Sequence, residues 1–145
     1  MSAKDDVSEL RQLLEPLAAR KAARNAGPDL RAELNSVART IEELAGTTEK
    51  PEKKALMRYD LTVHRLIYKA AGNRHLEDSL IRYDNLATRI WCLVIDQLPR
   101  LTEHVHEHFE LLQAVIDGNE DRASGLARHH IEGFEVAVRS ALFAA

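Results

Sequence analysis

The chain has 145 residues, a formal net charge of -3 and one cysteine, Cys92. Apolar residues make up 45% and charged residues 30%, the makeup of one soluble domain that can bury its own core. These totals exclude an internal disulfide and a membrane span, and no basic surplus marks a nucleic-acid-binding face. A cytoplasmic location fits the cysteine usage and the charged N-terminus.

The pattern predicts an all-α antiparallel bundle of about six helices over residues 1–145. A first helix covers roughly 5 to 25, with Pro16 as a potential kink because proline removes an interior hydrogen bond. Pro28 opens a second, which runs to about Leu44 and stops at Gly46. After a polar Thr-Thr-Glu-Lys loop, a third starts near Pro51 and ends at Gly72 and Asn73. The fourth runs from about Arg74 to Leu98 and is broken by Pro99. The fifth ends at Gly118 and Asn119, and the sixth reaches the C-terminus from about Glu120.

Each helical residue turns about 100° from the last, so polar residues inside an apolar arc can be picked out. On the fifth helix His108 falls in mid-arc, with Leu101, Val105 and Leu112 on one side and Leu111 and Val115 on the other. His104 lies about 40° away, and His106 near 160°, toward solvent. On the sixth helix His130 sits among Ala123, Leu126, Ala127, Phe134, Ala137 and Ala141. On the third, Asp60 and His64 are one turn apart and share a face with Ile67, Tyr68 and Ala71. Cys92 reads as a small buried hydrophobe.

A single inward histidine is more often a hydrogen-bonded core residue than a ligand, and Asp60 alone could pair with Arg11. Three inward imidazoles and a carboxylate on three helices instead suit a divalent transition metal: zinc, nickel or manganese first, with iron or cobalt also compatible. Arg11 lies on the side of Val7, Leu14, Ala18 and Ala22, where small alanines leave room for a guanidinium that grips carboxylates. Arg82, Arg89 and Asn85 on the fourth helix are weaker effector-binding candidates, opposite its stripe of Leu80, Tyr83, Ala87, Trp91, Val94 and Leu98. Glu77, Asp84 and Asp96 fall on no clear core face, so no spare inward acid is expected. No catalytic motif such as a phosphate loop or nucleophile elbow occurs.

These residues also carry a resemblance. DLTVHRLIYKAAGNRHL, residues 60–76, is similar to the Asp-x-x-x-His…Gly-Asn-x-x-Leu signature of the FCD domain. That is the C-terminal effector-binding domain of FadR-type regulators in the GntR family of bacterial transcription factors. EHFELLQAVIDGN from Glu107, GLARHHI ending at Ile131, and the opening SELRQLLEPLAAR resemble further segments of the same family. Asn119 stands where the family usually has aspartate, at a helix cap.

The resemblance covers nearly the whole chain and implies that Asp60, His64, His108 and His130 bind the metal. It also implies an all-α bundle that forms a homodimer and binds a small carboxylate effector, with Arg11 near it. DNA would be reached only through a winged-helix domain absent from this chain, which begins almost at the first helix of the domain. The expected role is metal-dependent sensing rather than catalysis. A small hydrolase or lyase on a helical bundle is the alternative, and His104 is kept as a possible support for the metal site.

Overall fold

The computed structural model describes residues 3–46, 52–98 and 101–144. The architecture is α1 (Ala3–Asn25), α2 (Pro28–Ala45), α3 (Lys53–Ala70), α4 (Arg74–Val94), α5 (Leu101–Ile116) and α6 (Glu120–Ala144), with a 3₁₀ turn over Ile95–Gln97. There is no strand among the described residues. None of the helices described is long and apolar enough to cross a membrane. The Thr-Thr-Glu-Lys loop, Pro51 and Pro99 lie outside the described residues, as do the side chains of Leu101 and Val105.

α1 runs unbroken through Pro16, which is itself buried, as the first expected helix does. One difference from the sequence expectation concerns helix continuity. α4 stops at Val94 and tightens into the 3₁₀ turn before Leu98.

α1 is the central helix. It packs on α3, α4, α5 and α6, while α2 covers α5 and α3. Ala18, Ala19, Ala22 and Ala23 are buried, and their small side chains let neighbouring helices approach from several sides. α1 and α6 are antiparallel: Arg24 pairs with Glu120, Arg20 with Asp121, and Gln12 with Glu135. Leu34, Ile41, Leu80, Leu112 and Val115 fill the core, each contributing roughly 1.5–3 kcal/mol by burial.

The helix ends are tied to one another. The half-buried Arg31 guanidinium donates to the carbonyls of Ala23 and Ala26 at the end of α1 and of Val115 and Ile116 at the end of α5. One cation thus serves two negative helix ends. Gly118 terminates α5 with φ +71° and Gly72 follows α3 with φ +76°, a region that side chains disfavour. Beside Gly72, the Asn25 amide donates to the Ala71 carbonyl at 2.9 Å, and Asn73 caps α4 by accepting from the Leu76 amide at 3.0 Å. These contacts mark the ends of α3 and α5 and the start of α4.

Candidate metal centre

Asp60 and His64 come from α3, His108 from α5 and His130 from α6. All four are buried. Asp60 Oδ1 is 3.1 Å from His108 Nε2, 3.3 Å from His64 Nε2 and 3.8 Å from His130 Nε2. His108 Nε2 and His130 Nε2 are 3.0 Å apart. One donor atom from each residue falls within 4.8 Å of all the others. A metal bonded at about 2.1 Å would hold its ligands about 3.0–3.5 Å apart, so the spacing fits such an ion.

A second layer of charge surrounds the four. His64 Nδ1 lies 3.6 Å from Glu15 Oε2, and His130 Nδ1 lies 3.0 Å from Glu107 Oε2. Two of the three rings therefore carry a carboxylate on Nδ1 and turn Nε2 to Asp60. His108 Nδ1 is buried with no hydrogen-bond partner. Tyr68 donates its hydroxyl to Glu15, and Arg11 reaches Glu15 at 3.4 Å and Asp84 at 3.6 Å.

Burial and these neighbours set the protonation states. Burial raises Asp60, but His64, His108 and His130 outweigh it and hold the carboxyl well below its usual value. Burial lowers His64, yet Asp60 and Glu15 carry it well above the ordinary range. His108 goes the other way, down to about 4, through burial and the nearby His130. Burial lifts Asp84 to about 6 despite the pull of His64 and Arg11. The donor set tests as a cation site: an acidic oxygen and three imidazole nitrogens meet in a buried space where two ring nitrogens share 3.0 Å.

The structure brings Asp60, His64, His108 and His130 together, with the buried Arg11 beside them. Arg82, Asn85 and Arg89 are not brought to the cluster. They are exposed and line a separate surface groove, and Asn85 accepts from Arg65. His104 is half-buried, edge-on to Phe134 at 5.7 Å and to His130 at 6.1 Å. Together with Glu107 and His130 it makes a second, more open group of donors.

Three sequence expectations are corrected. His106 does not face open solvent: it is half-buried and lines a groove with Ile41 and Glu42, because α2 packs across that side of α5. Cys92 is exposed, since Trp91 takes the inward position on that turn. Asp84 is only 2% exposed and belongs to the core face. Its spacing from Leu80 and Trp91, four and seven residues, was the available signal. Glu15, one turn from Arg11, was likewise missed and is 3% exposed.

Beside the cluster is a small cavity whose walls include Arg11, Asp60, His64, Asp84, Trp91 and His130. It offers about 10 Å³ for the centre of a water molecule, room for about one. A neighbouring hollow of about 40 Å³, measured the same way, lies among α1, α4 and α6 and shares Arg11, Ala87 and Phe134 with it. Arg11 thus stands between the two.

The FCD domain family matches residues 6–133. No curated protein matches the chain. Among solved structures, one described as the metal-free FCD domain of TM0439, proposed to be a transcriptional regulator, is similar in fold. It superposes with a TM-score of 0.67 at 20% identity, over 98% of this chain and 95% of that one. The chain belongs to the FCD family, a class of effector-binding domain found in transcription regulators.

Proposed function

We propose that this domain senses a small carboxylate at a metal held by Asp60, His64, His108 and His130, on behalf of a GntR/FadR-type regulator in the cytoplasm. The observation that carries the reading is the convergence of these four buried donors on one point, with Arg11 at the wall of the adjoining cavity. When bound, the metal supplies a cationic coordination point for a carboxylate oxygen. Zinc, nickel and manganese all accept this donor set.

The rest is done by the chain. Glu15 and Glu107 orient two of the rings through Nδ1. Arg11 offers a guanidinium to the acid, and it is now shared between Glu15 on its own helix and Asp84 on α4. An arriving carboxylate competes with Asp84 for that guanidinium. Binding thereby alters the tie between α1 and α4, and a ligand that favours one arrangement of the two helices shifts its population. DNA affinity changes through a winged-helix domain, whether joined to this one or supplied by a partner. A homodimer is part of the proposal, supported by the exposed Leu10, Leu13 and Leu17 on one stripe of α1.

A thermal-shift screen of metals crossed with small carboxylic acids tests the reading. Stabilisation by metal, increased further by an acid only when metal is present, is the expected result. Exhaustive chelation that leaves both stability and acid binding unchanged would end it. The buried Asp84, lifted to about 6, favours one second reading, a small hydrolase or lyase, because it supplies the inward acid such a site needs. Turnover of organic acids or esters by the metal-loaded protein would decide for that reading.

A further inference from the structure

We infer that His104, Glu107 and the Nδ1 edge of His130 form a second, outer site for the same class of divalent cation, through which the metal enters and leaves the buried centre. This rests on the reading of the four-residue cluster as a metal centre.

The four inner donors are 0–9% exposed, so an ion reaches them only by giving up its water. A bare cation is costly to bury, and each lost water has to be replaced by a protein donor on the way in. Such donors stand between the cluster and the surface. His104 and Glu107 are one turn apart on α5, and His130 faces them from α6. One donor atom from each of the three lies within 4.8 Å of the others. His104 Nδ1 is buried without a hydrogen-bond partner. Two imidazoles and a carboxylate suit the same ions as the inner set.

His130 belongs to both sets. Its side chain is 5% exposed and that of Glu107 is 41% exposed, yet Nδ1 and Oε2 are 3.0 Å apart. Glu107 thus carries the line of donors from solvent to a ring whose Nε2 faces Asp60. Glu107 also lines an open groove of about 400 Å³ with Glu42, Glu103 and Glu110. Among the described residues no lysine or arginine is in the walls of that groove, although Arg122 reaches Glu110 at 3.8 Å. Walls of one sign raise the local concentration of cations.

The shared ring keeps the two sites from filling together. A neutral imidazole offers one lone pair, because its other nitrogen carries the proton. An ion on Nδ1 leaves the proton on Nε2. An ion on Nε2 leaves it on Nδ1, where Glu107 accepts it. The ion therefore passes from one edge of the ring to the other, and one proton moves the opposite way through water.

The test uses cobalt(II), whose visible absorption changes when protein donors replace its water. Loading is followed by rapid mixing with the metal-free protein, and release by mixing the loaded protein with a chelator. In the wild type the loading rate should level off as cobalt is raised, because transfer from the filled outer site becomes limiting. His104→Ala and His104→Phe both remove the imidazole, and the second keeps a ring against Phe134. Each should slow loading and release by the same factor, roughly tenfold or more, because the outer site fills less often. Affinity should change by less than about threefold, since the outer site is empty in both end states. A loading rate that climbs in proportion to cobalt throughout overturns the inference, as do unchanged rates in both variants. Slower loading with unchanged release also overturns it, because affinity then falls and His104 holds the ion at the centre itself. In each of these cases the buried metal centre stands. A wild-type protein that takes up no cobalt removes both this inference and the reading beneath it. The wild-type concentration series needs no variant to fold.

Discussion

Glu107 Oε2 lies 3.0 Å from His130 Nδ1, while Nε2 of the same ring is 3.0 Å from His108 and 3.8 Å from Asp60. The carboxylate accepts the Nδ1 proton and so leaves the Nε2 lone pair facing the cluster. The same hydrogen bond holds Glu107 below its ordinary value, against a smaller opposing effect of burial. Glu107 is part-exposed, so replacing it should leave the fold intact. Glu107→Ala should weaken metal binding roughly 10–100-fold, as loss of an orienting partner typically does. Competition against a chelating dye measures this. Unchanged affinity would mean that the cluster holds His130 in place without help.

The metal should also bind the helices together, because its ligands come from α3, α5 and α6. At a hundredfold excess over the dissociation constant, an ion that binds only the folded state adds about 2.7 kcal/mol. For a domain of this size that is a rise of roughly 5–10 °C in Tm. His108 is fully buried at the centre of the group. His108→Ala should abolish the metal-dependent rise, whatever its effect on the metal-free protein. A rise of the same size in that variant would remove His108 from the ligand set.

His104 and His106 flank the same turn, and their replacement separates the rings. His104 meets His130 and Phe134 edge-on. Burial and the charge of His130 hold it below its ordinary value, which suits a neutral packing ring. His104→Ala should weaken metal binding by less than about threefold, well short of the effect of removing an orienting carboxylate. His106→Ala should leave metal binding unchanged. A large loss in His104→Ala with none in His108→Ala would move the metal to the second group, His104, Glu107 and His130.

Much of this was legible in the residues because helical geometry is regular. Asp60 and His64 had to share a face at a spacing of four, and His108 and His130 each fell inside an apolar arc. The depth of each helix in the bundle was not legible. On α4 the sequence suggested a stripe of Leu80, Tyr83, Ala87, Trp91, Val94 and Leu98; Leu80, Trp91, Val94 and Leu98 are buried, but Tyr83 and Ala87 are half-buried and Asp84 takes the inward place between them. α1 and α3 both pack on α4, and the spacing of Asp84 from Leu80 and Trp91 alone does not tell how deep between them that line lies. The same cause explains Cys92 and Leu93, apolar by type yet exposed, and His106, polar by type yet covered by α2. Glu15 escaped notice because two of its partners, Tyr68 and His64, are distant in sequence.

Asp84 gives the domain a pH signature of its own. Burial lifts it from an ordinary value of 3.8 to about 6, with His64 and Arg11 pulling back and Asp60 and Glu15 adding to the rise. Between those two values the folded state holds a proton that the unfolded state has released. Stability therefore falls as pH rises through the window, and the loss persists above it. A shift of about two units corresponds to roughly 3 kcal/mol, an upper figure for a group that also pairs with Arg11. Asp84→Asn keeps the shape and cannot ionise. In metal-free protein the variant should be more stable than the wild type by about 1–3 kcal/mol above pH 6, with the gap closing toward pH 4. His108, lowered to about 4, destabilises both proteins as pH falls from 6.5, so its effect cancels in the difference. Urea unfolding at a series of pH values reads the gap directly. A gap that does not vary with pH would show that Arg11 fully offsets the buried charge, and Asp84 would then be a structural partner of Arg11 rather than a strained group held ready for a ligand.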